Sequence, residues 1–123
     1  MAYTEDLFIY KDTRTLCKLL LKYSGNVSRM VRFDEMRDAK SKAYLALDLI
    51  REINSSFEGR LERLNMYIML IAEVRSRISI LAEEGYLQPK AATNLDYMIG
   101  KVSKEATGWL KAERKRRGES REV

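Results

Sequence analysis

The side chains in this chain that could do chemistry are arginines, lysines and carboxylates, because histidine is absent and cysteine occurs once, at Cys17. Without an imidazole, the usual zinc sites and the Ser-His, Cys-His and Arg-His catalytic arrangements cannot be built. Most common small-enzyme chemistries drop out, which leaves carboxylate or lysine chemistry open; no metal site or cofactor is expected. Cys17 sits among Leu16, Leu19 and Leu20, which marks it as a small buried hydrophobe rather than a reactive thiol. The adjacent carboxylates Glu83 and Glu84 fall at a helix end beside a turn and are read as structural.

The basic residues make the better case. Arg29 and Arg32 lie at the entrance of a second helix, Arg37 and Lys40 on its first turns, and Arg60, Arg63, Arg75 and Arg77 along a third. Phosphate backbones reward such residues through charge neutralisation and counterion release, and an arginine can also grip one phosphate with two parallel hydrogen bonds. The competing reading is a solvated face held by pairs within the helix, such as Glu73 with Arg77 at the i, i+4 spacing. Lys111, Arg114, Lys115, Arg116 and Arg117 add a cationic arm able to follow a phosphate backbone without prior shape matching. Net charge is +5; residues 111–123 hold six of the 23 basic and three of the 18 acidic residues, which leaves 17 against 15, or +2, for positions 1–110. An electrostatically attracted partner should therefore meet the tail, or a face on which positive charge has been sorted from negative.

These residues must be positioned by helices. Val74, Ile78 and Leu81 recur at helical spacing, as do Leu95, Ile99, Val102, Ala106 and Trp109 downstream. Between the two stripes, Gly85 suits the left-handed end of a helix and Pro89 the first turn of the next. Residues 74–111 thus read as an antiparallel helical hairpin. Upstream, a first helix is expected from Thr4 or Glu5 to Lys22 or Tyr23, built on Leu7, Tyr10, Leu16, Leu20 and Tyr23 and widened by Phe8 and Leu21. A second starts near Phe33 or Asp34, with Asp34 as its cap, and ends at Asn54–Ser56. Its stripe is Met36, Ala43, Leu47, Ile50 and Ile53, with Tyr44, Leu45 and Leu49 off it. A third runs from about Phe57 to Glu84 on Leu61, Leu64, Ile68, Ile71, Val74, Ile78 and Leu81, leaving Met66, Met69, Leu70 and Ile80 outside; a fourth covers about Lys90 to Lys111.

Four helices, short turns and no strand pattern predict an all-α, antiparallel up-down-up-down four-helix bundle over residues 1–111, followed by a flexible, disordered basic tail over 112–123. No apolar run approaches the ~20 residues of a membrane span, and no secretory signal is visible, so a cytoplasmic protein with no membrane partner is expected. The surplus of apolar positions points to self-association.

The segments "LAEEGYLQPKAATNL" and "GWLK", with the run from Lys22 to Ser56, resemble the accessory proteins called Avd of diversity-generating retroelements; the resemblance covers most of residues 7–111. It implies a basic homopentamer of four-helix bundles that binds reverse transcriptase and template RNA in support of mutagenic cDNA synthesis, with no catalytic site of its own. Arg75 matches a basic position of that family's third helix, with Arg77, Arg63 and Arg60 as its neighbours. Trp109 is expected to pack the fourth helix against the bundle or a neighbouring subunit, with Gly108 permitting close approach. A related family, encoded by intervening sequences in bacterial ribosomal RNA genes, typically has a Ser-Ile-Pro type break in helix two, which is absent between Met36 and Ile53. Leu47–Asn54 also resembles one helix of the all-helical chorismate mutases, the alternative enzyme reading.

Overall fold

The computed structural model describes residues 2–27, 29 and 32–118, with the side chains of Arg32 and Phe33 outside the described set. Its helices are α1 (Phe8–Ser24), α2 (Arg37–Ser55), α3 (Arg60–Glu83) and α4 (Pro89–Arg116). Each packs on two others, in the cyclic order α1, α2, α3, α4 and back to α1. Cross-helix pairs fix the directions: Asp38 meets Arg77 and Lys42 meets Glu73; Arg51 meets Glu5 and Lys40 meets Ser24; Asp12 meets Lys101 and Tyr23 meets Asn94; Arg60 meets Glu113 and Arg75 meets Asp96. On every seam residue numbers rise along one helix as they fall along its neighbour, so the chain forms the expected antiparallel four-helix bundle. Among the described residues, no helix is long and apolar enough to cross a membrane.

The hairpin is built as its sequence requires. Gly85 has φ 82°, and the amides of Gly85 and Tyr86 return to the carbonyls of Ala82 and Leu81 at 3.1 and 2.9 Å. These two bonds satisfy carbonyls that the helix end would leave unpaired. Pro89 then opens α4, where a missing N–H is harmless.

Other boundaries differ for local reasons. Leu7 is extended, with φ −73° and ψ 136°, so α1 starts at Phe8 and Thr4–Asp6 forms a separate 3-10 turn. That turn is tied to the end of α2 by the Asn54 amide, which donates to the Ala2 carbonyl at 2.9 Å and to Thr4 Oγ1 at 3.2 Å. A wide π-helical turn, Arg32–Met36, feeds α2 directly. Met36, itself helical, precedes the first residue and gives no side-chain cap, so Asp34 is not the cap it was expected to be. Ser56 is extended and Gly59 turns left-handed, which delays α3 to Arg60. At the other end α4 continues through Arg116, so residues 112–116 are helical rather than disordered. Arg117 and Gly118 form a turn, and residues 119–123 lie outside the described residues.

The core holds the predicted stripes and more. Ile9, Leu49, Tyr67 and Leu70 are buried beside them, whereas Leu47, Leu61 and Ile68 pack at the edge. A helix with two neighbours buries a broader face than one stripe. Thr13 donates to the Ile9 carbonyl and sits 2.6 Å from the Tyr67 hydroxyl. Its single proton being committed, Thr13 accepts from Tyr67, and a buried phenol is satisfied inside the bundle. Cys17 is buried, and burial, then the nearby Asp48 charge, pushes its thiol up to about 12. Trp109 packs partly buried on the core, and Gly108 has open space where a Cβ would stand, so no described residue of this chain approaches it closely.

Candidate nucleic-acid interface

The α3 arginines are largely engaged within the molecule. Arg60 is buried: its Nε donates to the Ile53 carbonyl at 2.7 Å, its Nη2 to that of Asn54 at 3.3 Å, and its Nη1 lies 3.9 Å from Glu113 Oε1. Its guanidinium also covers the Phe57 ring at 4.4 Å and faces Trp109 at 5.6 Å. Arg60 is therefore a structural residue, not the surface contact expected of it. Arg63 donates to the Glu58 carbonyl at 2.8 Å and pairs with Glu52 at 3.6 Å. Its Nη1 comes within 3.0 Å of where a side chain at Gly59 would begin, which leaves that left-handed turn to glycine on two counts.

Arg77 Nε donates to Asp38 Oδ2 at 2.8 Å, and Lys42 bridges Asp38 and Glu73. Burial opposes ionisation of the Asp38 carboxyl, but hydrogen bonds from Arg77 and Lys42 outweigh it and hold the group below its ordinary range. The expected pair of Glu73 with Arg77 gives way to this bridge between helices. Arg75 is the looser case: its Nε stands 4.0 Å from Asp96 and its side chain is 49% exposed.

The tail divides likewise. Glu113, buried, receives two bonds from Arg116 at 3.1 and 2.7 Å, and Arg116 lies over the Phe57 ring at 4.2 Å. Those bonds, assisted by Arg60, hold the Glu113 carboxyl below its usual range although burial pulls the other way. Lys111, Arg114 and Lys115 remain on the exposed side of the last turns of α4, with Arg117 just beyond them.

A different helix carries the sorted charge. Lys11, Arg14, Lys18 and Lys22 are all exposed on α1 at steps of three or four residues, a row about 16 Å long at the helical rise. Asp12, the acid of α1, is turned to Lys101 of α4 at 3.5 Å. Among the described residues, no carboxylate lies within ion-pair distance of any cation in the row. On the neighbouring helix α2, Arg37 is exposed and Lys40 partly buried; Lys40 donates to the buried Ser24 of α1 at 3.2 Å across the seam, away from the row. Tyr10, Lys11, Arg14 and Lys18 line a shallow groove of about 470 Å³, and Tyr44 stands exposed one turn on from Lys40. Glu5, in the same groove, is occupied by Arg51 at 3.0 Å; a backbone hydrogen bond and then Arg51 hold its carboxyl below the ordinary carboxylate range. Of the other candidates at the entrance of α2, Arg29 lies in the α1–α2 connection and the side chain of Arg32 is outside the described residues.

Sequence reasoning passed over the α1 row, although its spacing is written in the chain. Arg51, the basic residue of the segment that resembles a chorismate-mutase helix, points outward to Glu5 and to the Tyr10 ring at 5.6 Å. Among the described residues no cluster of three or more metal-ligating side chains forms. In comparison with known proteins, no family model matches this chain and no curated protein matches it in sequence.

Proposed function

We propose that the chain is a non-catalytic, RNA-binding accessory protein of a diversity-generating retroelement, working in the cytoplasm with a reverse transcriptase in the manner of the Avd proteins it resembles. The observation that supports nucleic-acid binding is the α1 row of Lys11, Arg14, Lys18 and Lys22. Cations without carboxylate partners meet phosphates without first breaking a pair, so their counterion release goes fully into binding. Arg75 and the exposed cations of α4 are secondary contacts, and the reverse transcriptase and the homopentamer come from the resemblance.

A physical feature favours assembly. Leu45, Met66 and Met69 are 58%, 48% and 53% exposed, and the ladder of pairs between α2 and α3 sets Leu45 level with Leu70, next to Met69 and one turn from Met66. Apolar side chains gathered at one place on a surface suit a subunit contact.

Light scattering and RNA titration over a range of salt test the reading together. A pentamer whose mass resists salt, and whose RNA affinity falls steeply with it, is the expected result. A monomer that binds neither RNA nor a co-expressed reverse transcriptase would sink it.

A further inference from the structure

The α1 row does not end on a flat surface. Its last member, Lys22, stands on the rim of a half-open cavity of about 620 Å³ at one end of the bundle, between the C-terminus of α1 and the α3–α4 turn. Among the described residues no carboxylate lines it, and a second lysine, Lys90, faces the same space. Its apolar wall includes Val27, Leu87 and Ala91, all buried. Tyr86 is half exposed beside them. The left-handed turn at Gly85 fixes the Tyr86 backbone through its bond to Leu81. The side-chain amides of Asn26 and Gln88 also line the cavity, and neither has a hydrogen-bond partner among the described residues.

A ligand matched to this set is flat and apolar on its faces, carries donors and acceptors along its edge, and is anionic at one end. We infer that the cavity holds one unpaired nucleotide, its base against Tyr86 within reach of the Asn26 and Gln88 amides and its phosphate between Lys22 and Lys90. The inference rests on the proposed RNA-binding reading and refines it. A strand lying along α1 places its phosphates on Lys11, Arg14 and Lys18 and delivers a base at Lys22. A duplex keeps its bases paired and uses the row alone.

The test measures binding of the intact protein to a labelled 12-nucleotide single-stranded RNA, to the same sequence as a duplex, and to AMP alone. Tyr86→Ala should weaken single-strand binding about ten-fold, within the range for loss of one base–aromatic stack, and leave the duplex unchanged. Tyr86→Phe should retain the affinity. Competition by AMP for the single strand would identify the free nucleotide as a ligand in its own right; single-strand preference without it would assign the cavity to strands. Equal losses for single strand and duplex, or no loss on Tyr86→Ala, would overturn the cavity inference while leaving the α1 row in place. Absence of RNA binding by the unaltered protein would remove both. Lys11→Glu with Lys18→Glu separates the two, since it should weaken duplex and single strand alike.

Discussion

Glu113 and Arg60 form a buried ion pair 53 residues apart in sequence, with side chains 2% and 8% exposed, that binds the last turns of α4 to the start of α3. The pair is one part of a stack in which Arg60 and Arg116 both lie on the Phe57 ring and Glu113 contacts both guanidinium groups. Glu113→Ala should cost about 3 kcal/mol, because it leaves Arg60 buried without its counter-charge. Urea unfolding measures the loss, and hydrogen exchange should show residues 111–116 opening first.

Charge reversals should separate the basic residues by their surroundings. Lys11→Glu with Lys18→Glu is expected to leave the melting temperature nearly unchanged, to weaken RNA binding, and to reduce the slope of log affinity against log salt by about 1.5 for single strands. Arg77→Ala removes a part-exposed pair with Asp38 and should cost under about 1 kcal/mol with little effect on RNA.

Asp12 and Glu105 predict a pH dependence. Asp12 Oδ2 and Glu105 Oε1 are buried without a donor. Burial, followed by the hydrogen bond and charge of Asp12, pushes the Glu105 carboxyl up to about 7, against a smaller pull from Lys101. A proton held on Glu105 supplies Asp12 with the donor it lacks. The folded state therefore binds more protons than the unfolded chain between the ordinary carboxylate range and about pH 7, and stability falls as pH rises through that window. Urea midpoints should be higher at pH 5 than at pH 8, and Glu105→Gln should flatten the difference.

Thr13 and Tyr67 allow a test by asymmetry. Thr13→Val leaves the Tyr67 hydroxyl buried without an acceptor and should cost about 2 kcal/mol; Tyr67→Phe, which leaves Thr13 still bonded to Ile9, should cost about 1. A larger loss for Tyr67→Phe in thermal unfolding would contradict the assigned donor direction.

The hairpin of α3 and α4 was legible because Gly85 and Pro89 have local meanings that neighbours do not alter. The arginines of α3 were not legible, because their partners are remote: Asp38 lies 39 positions from Arg77, and Glu113 is farther still from Arg60. A helix pattern shows which residues share a face but not what stands opposite. Tyr67 was missed because the third-helix stripe was drawn through its neighbours Leu64, Ile68 and Ile71, and the Thr13 that satisfies its hydroxyl lies 54 positions away. The α1 row was hidden in a different way, since a balance of charge over positions 1–110 merges Lys11, Arg14, Lys18 and Lys22 with carboxylates that the fold turns elsewhere.

The cyclic order of the helices also bears on how the bundle assembles. Three seams join consecutive helices through short connections and close small loops, whereas the α1–α4 seam joins the two ends of the fold and must close almost the whole chain. That seam carries Asp12, Glu105 and their orphaned oxygens. The seam formed at the greatest entropic cost is thus also the one that carries the unsatisfied carboxylate oxygens among the described residues, and it is expected to open before the other three.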